Sequence, residues 1–209
     1  AYGVVRIIES KKWAFPLSVL QETISDVISK DTDRFGIGLS EGQQQVIDFI
    51  KGRLRQLLTT KNIRHDVIEA VLNAEQKDLT KVFAAAQLFK QHLADEDFKP
   101  SMEALTRVVN LAKKAELEKQ SEVDPELFEN EAEKELHKAV EAMKKSFADQ
   151  TINENYDQLV SLRPLIENYF DQTMVMAEEP AVRKNRLTQL SQIAAMALSL
   201  ASLDQIITK

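Results

Sequence analysis

Apolar residues recur along most of the chain at intervals of three and four, and alternating β-branched runs bounded by turns are absent, so the pattern predicts an all-α fold. Helices are predicted from Tyr2 to Lys12, from Pro16 to about Ser29, and from Ser40, as cap, to about Thr59. The last of these carries Val46, Ile47, Ile50, Leu54 and Leu57 on its core stripe. The glycine-bearing stretch DTDRFGIGLS, Asp31 to Ser40, reads as a loop before it. Asp66 is placed to cap Val67 to Asn73, and a further helix covers Asp78 to Leu93.

The stretch ADEDFKPS, Ala94 to Ser101, interrupts helical patterns on both sides with acids and a proline. It divides the chain into a helical body segment, residues 1–95, and a bundle, residues 96–209. In the bundle, helices are predicted from Pro100 to Glu118, from Pro125 (with Asp124 as cap) to Phe147, from Asn153 to Met176, and from Pro180 to about Leu203. Pro164 lacks a donor and clashes with the preceding turn, so it should kink or split the third of these. Met102, Leu105, Val109 and Ala112 form one inward stripe, and Leu187, Leu190, Ala194, Ala197 and Ala201 another.

Composition narrows the classes. At 209 residues and 44% hydrophobic content the chain can bury one or two helical cores, and with no cysteine it has neither disulfides nor thiolate metal sites. A reducing compartment, the cytoplasm, is expected. The most apolar run, Ile193 to Leu203, is about half the roughly 20 residues a bilayer crossing requires. The opening AYGVVRIIESKKW has no initiator Met, basic leader or cleavage signature, as expected of a piece of a longer protein.

The net charge of −6 would argue against nucleic-acid binding, but it is unevenly placed. Glu122 to Glu135 holds seven acids against Lys134 and accounts for all of it; this run reads as a solvated face and cap region. Ala181 to Lys209 carries a local +3 and Lys99 to Lys119 a local +2. Arg107, Asn110 and Lys114, with Lys113 beside them, share a face distinct from the core stripe of their helix. Arg183, Asn185 and Arg186 lie in the first turns of the last helix, where free N–H groups and the positive helix end favour phosphate. The residues alone leave these patches open between solvated surface and binding site.

Catalytic motifs are weaker. His65-Asp66 matches the metal-binding dipeptide of HD phosphohydrolases, against a plain alternative in which Asp66 caps a helix and His65 is its exposed flank. Asn62, Phe89 and Lys134 stand three residues before His65, His92 and His137, so the Glu-x-x-His pattern of di-metal bundles fails at every histidine. The five glycines form no phosphate loop, and no His-Glu-x-x-His is present. Ser and Thr nucleophiles stay open on the residues alone, with no partner spacing that supports one. A helical protein-protein adaptor and an HD-type hydrolase remain as alternatives to an RNA binder.

The ordered set AYGVVRII, VIDFIKGRLRQLL (Val46 to Leu58), RHDVIEAVL (Arg64 to Leu72), TRVVNLAKKA (Thr106 to Ala115), VDPELFENEAEKEL (Val123 to Leu136) and FDQTMVMAEEPAVRKNRL (Phe170 to Leu187) resembles the carboxyl end of the bacterial glycyl-tRNA synthetase β-subunit family. That family ends in a DALR-type anticodon-binding domain, and the resemblance spans almost the whole chain. It implies that residues 96–209 are that domain and that Arg107, Asn110, Lys113, Lys114, Arg183, Asn185 and Arg186 contact tRNA. Thr106 stands where the family often has Lys. Met174 and Met176 are expected to be core, and SLDQIITK, which matches the family less well, is assigned no role. The implied partners are a glycine tRNA, read at its anticodon stem-loop, and the α subunit; no membrane is implied. Glycine anticodons share two cytosines. The resemblance further implies that ATP and Mg belong to the holoenzyme, with no catalytic residue, metal ligand or cofactor in this fragment.

Overall fold

The computed structural model describes residues 2–14, 39–74, 78–114 and 122–208, with positions 16, 19, 22, 23 and 26 between them. Every regular element among the described residues is helical. The helices are α1 (Tyr2–Lys11), α2 (Leu39–Thr60), α3 (His65–Leu72), α4 (Leu79–His92), α5 (Phe98–Ala112), α6 (Glu131–Phe147), α7 (Ile152–Ser161), α8 (Arg163–Gln172) and α9 (Pro180–Leu200). Short 3₁₀ turns lie at Pro125–Leu127 and Leu203–Gln205. The helix expected from Pro16 to Ser29 and the loop from Asp31 lie largely outside the described residues.

Pro164 splits the predicted long helix. Leu162 ends α7 and begins α8, and the ring occupies the first turn of α8, where no donor is needed. Thr151 starts α7 with a capping box: its hydroxyl accepts the Glu154 N–H, and Glu154 accepts the Thr151 N–H in return.

The helix predicted from Pro125 begins six residues later. Asp124 does cap a turn, accepting from the Glu126 N–H at 3.0 Å, but that turn ends at Leu127. Asn130 caps α6 instead, accepting from the Glu133 N–H at 3.0 Å, while Glu133 accepts the Glu129 N–H at 3.2 Å. Similarly, α3 begins at His65, so Asp66 lies within its first turn rather than at its cap.

The bundle is built around α9, whose main neighbour is α5, with α6, α7 and α4 packed on its other sides. Leu190 and Ile193 are fully enclosed, each contributing about 1.5 to 3 kcal/mol of hydrophobic stabilisation. One hydrophobic core runs from α1 to the final turn, passing through the segment around Ala94 to Ser101. Phe89 of α4 meets Phe98 of α5 and Tyr156 of α7 edge-on, at centroid separations of 6.4 and 6.0 Å.

After α9 the chain turns back as a strap. The Ser202 N–H donates to the Ala70 carbonyl and its hydroxyl to the Asn73 carbonyl, both at 2.9 Å. Leu203 and Ile206 are buried against the core. The segment assigned no role by sequence thus fastens α3 to α9.

Candidate nucleic-acid interface

The amphipathic spacing of α5 sets one side of the site. Met102, Leu105, Val108 and Val109 face inward, which leaves Arg107, Asn110 and Lys114 on the outer surface. These three converge on a groove of about 530 Å³ between α5 and the strap. Apolar Met102, Leu111, Leu203 and Ile206 line it together with polar groups, Glu103 on α5 and Asp204 on the strap being carboxylates among the donors. Lys113 is committed to the strap, 3.3 Å from Asp204.

Arg107 is held in place. Its guanidinium lies 3.9 Å from the centre of the Phe170 ring, on α8, in a cation–π contact that leaves the fork of donors outward. A second hollow of about 370 Å³ opens on that side, between α5 and α8, and shares Arg107 and Glu103 with the first. A planar cation stacked on an aromatic ring is a platform for phosphate or for an unstacked base.

The α9 half of the predicted site is corrected. Arg186 is 4% exposed, with Nε donating to Glu133 at 3.2 Å and Nη2 to Glu133 at 2.9 Å and Glu129 at 2.6 Å. Its Nη1 donates to the Met174 carbonyl at 3.1 Å, and hydrogen bonding to Glu133 raises its pKa above the ordinary guanidinium value. Asn185 is also buried: its carbonyl accepts the Asp124 N–H at 2.7 Å and its amide donates to the Asp124 carbonyl at 2.9 Å. Both side chains hold the α6 entrance to α9 and face away from solvent. Half-buried Arg183 donates to the Ala177 carbonyl at 2.9 Å. The two predicted patches therefore do not merge into one surface.

The acidic run is corrected by the same contacts, since Glu133 is fully buried as the counter-ion of Arg186 and only part of the run is a solvated face. The methionines are also reversed: Met174 is 74% and Met176 54% exposed, with Val175 buried between them. Burial alternates along the loop, with Thr173 and Val175 inward and the two methionines outward. Arg186 and Arg183 hold its backbone in place.

The His-Asp pair is not arranged as a metal centre. The His65 ring is 81% exposed and 3.9 Å from Glu69, while the Asp66 carboxylate takes Arg64 and the N–H of Ile207, the latter at 2.7 Å. Arg64 in turn donates to the Ile207 carbonyl at 2.6 Å. Asp66 is a clasp for the strap.

Burial alone would raise the Asp66 pKa, but the bonds from Arg64 and Ile207 outweigh it and hold the carboxyl below the ordinary aspartate range. A group depressed in the folded state stabilises it above its unfolded pKa, and that contribution is lost as pH falls through the folded one. Acid is expected to loosen the strap, and Asp66→Asn to melt with a weaker pH dependence than the parent as pH falls through and below the ordinary aspartate range. Coincident pH profiles would detach Asp66 from this role.

Sequence reasoning missed Glu103, Phe170 and Asp204. The available signal for Asp204 was its position between two apolar residues, Leu203 and Ile206, just after a helix, which is the pattern of an anchored turn.

The helical bundle that carries this groove is of the DALR class: the DALR anticodon binding domain family matches residues 101–203. Residues 1–73 match the family described as glycyl-tRNA synthetase beta subunit. Similar proteins include glycine-tRNA ligase beta subunits of Lactobacillus delbrueckii subsp. bulgaricus, 38% identical over 209 residues, and of Levilactobacillus brevis, 39% over 212. That of Limosilactobacillus reuteri is 37% identical over 210 residues. Each similarity covers the whole of this chain and 30% of the relative's length. The chain belongs to the glycyl-tRNA synthetase beta-subunit family. No helix among the described residues is long and apolar enough to cross a membrane.

Proposed function

We propose that this chain is the part of a glycyl-tRNA synthetase beta subunit that grips the anticodon loop of a glycine tRNA, with residues 96–209 as the anticodon-binding unit. The observation that carries this reading is the convergence of Arg107, Asn110 and Lys114 on one groove beside the Arg107–Phe170 stack. Lys114 supplies a phosphate contact, Arg107 donates to base acceptors, and Asn110 offers paired donor and acceptor to a base edge. Lys113 joins them once a phosphate competes with Asp204. Buried Arg186 and Asn185 act through the fold, by holding the loop that leads into α9.

Glycylation, with its ATP and Mg, is assigned to the holoenzyme formed with the α subunit in the cytoplasm. No residue of this chain is assigned to catalysis or to a cofactor.

The test is titration of the intact protein that carries this chain with a glycine anticodon stem-loop at two salt concentrations. A parallel loop has both shared cytosines changed to uracil. Tighter binding of the cytosine loop is expected. Each phosphate contact should lower log K by about 0.7 per decade of salt. Equal, salt-independent binding of the two loops, or none, would overturn the reading in favour of a protein-binding adaptor.

A further inference from the structure

The groove contains a feature that phosphate binding does not explain. Asp204 carries a carboxylate, an acceptor without donors, into the same space as Arg107, Asn110 and Lys114. Against a phosphate it would only repel. Its position is nevertheless built in, because it sits in the Leu203–Gln205 turn between buried Leu203 and Ile206. The strap on either side is clasped to α3 through Ser202 and Ile207. Asp204 is 38% exposed at its side chain, and Lys113, at 3.3 Å, leaves other lone pairs of the carboxylate open to a ligand.

A fixed acceptor facing fixed donors across a groove is complementary to a planar edge with an amino group at one end and acceptors beside it. Cytosine has that edge, with the N4 amino group next to N3 and O2. We infer that Asp204 is a specificity-determining residue of the groove, accepting a hydrogen bond from the N4 amino group of an anticodon cytosine. Asn110 and Arg107 donate to the ring nitrogen and carbonyl of the same base. This rests on the anticodon reading above. Aspartate accepting from cytosine N4 is an established mode of base readout, and its geometry is indifferent to whether the strand is DNA or RNA. Uracil puts a carbonyl where cytosine has its amino group, so two acceptors would face each other. The strap, clasped before the ligand arrives, presents this acceptor with little further ordering.

The experiment compares parent and Asp204→Asn forms of the intact protein with the cytosine and uracil stem-loops. The parent is expected to prefer cytosine, and the variant to lose about tenfold of that preference, the size of one base-reading hydrogen bond. Part of the loss should come from tighter binding of the uracil loop, since an amide can donate to its O4. The melting temperature should be unchanged, because the Lys113 ion pair is exposed. An unchanged preference would overturn the assignment, as would equal strengthening of both loops, which marks the carboxylate as a repulsive charge alone. Equal weakening of both would reduce the strap to scaffolding and overturn it too. If the parent binds neither loop, the anticodon reading itself fails, an outcome distinct from all of these.

Discussion

Replacing Arg186 with Ala is expected to destabilise the protein by about 3 to 5 kcal/mol, the range for breaking a buried ion pair from one side. The variant leaves the fully buried Glu133 without its two bonds and frees the Met174 carbonyl. Against a typical domain stability of about 5 to 15 kcal/mol, this is a large fraction. For a chain of this length it corresponds to a fall in Tm of roughly 6 to 20 °C, readable by thermal denaturation. Arg186→Lys should fall between, since a single ammonium cannot reproduce the paired bonds to Glu133 and the third to Glu129. Converting the pair together, as Arg186→Met with Glu133→Leu, should recover most of the loss, because no charge is then left buried alone. A melting curve for Arg186→Ala that overlays the parent would contradict the buried pair.

The second large effect is the opposite in kind. Arg107→Ala with Lys114→Ala is expected to weaken stem-loop binding by about 1 to 3 kcal/mol for each base-reading interaction removed, and to flatten the salt dependence. Melting should change little, because both side chains are exposed and the Phe170 stack contributes only about 0.5 to 1 kcal/mol. Arg186 and Arg107 are thus separated by which measurement each moves. Undiminished affinity and salt slope in the double variant would remove the α5 groove from RNA binding.

Local patterning made most helices legible. α1, α4 and α9 lie within a few residues of the positions expected from periodicity, and α5 begins within two. The inward stripes of α5 and α9 are buried or nearly so. Pro164 acts as its ring and missing donor require. The α6 start was not legible. Asp124-Pro125 and Asn130 are both sound helix-start signals, and the choice falls to Asn130, while Asn185, sixty-one residues along the chain, clamps the Asp124 backbone.

The candidate site divides along the same line. On α5 and the turn after it, Arg107, Asn110 and Lys114 share an open face, as their spacing predicts, because that helix has one covered face and one open one. On α9 the same reasoning failed for Arg186 and Asn185. A helix covered on several sides buries residues beyond its apolar stripe, and polar ones among them must then be paired. Exposed methionines and buried glutamate are two sides of that effect, since Arg186 draws Glu133 inward and holds the loop that turns Met174 outward.

The amino-acid sequence by itself determined that the chain is helical, where most helices run, which family it resembles and which face of α5 carries donors. Periodicity and capping act over a few residues, and ordered motifs need no coordinates. Only the tertiary structure decided which charged residues are surface and which are core, and that the strap bearing Asp204 closes the groove. Those outcomes depend on which elements cover one another, a matter of packing between residues far apart in the chain.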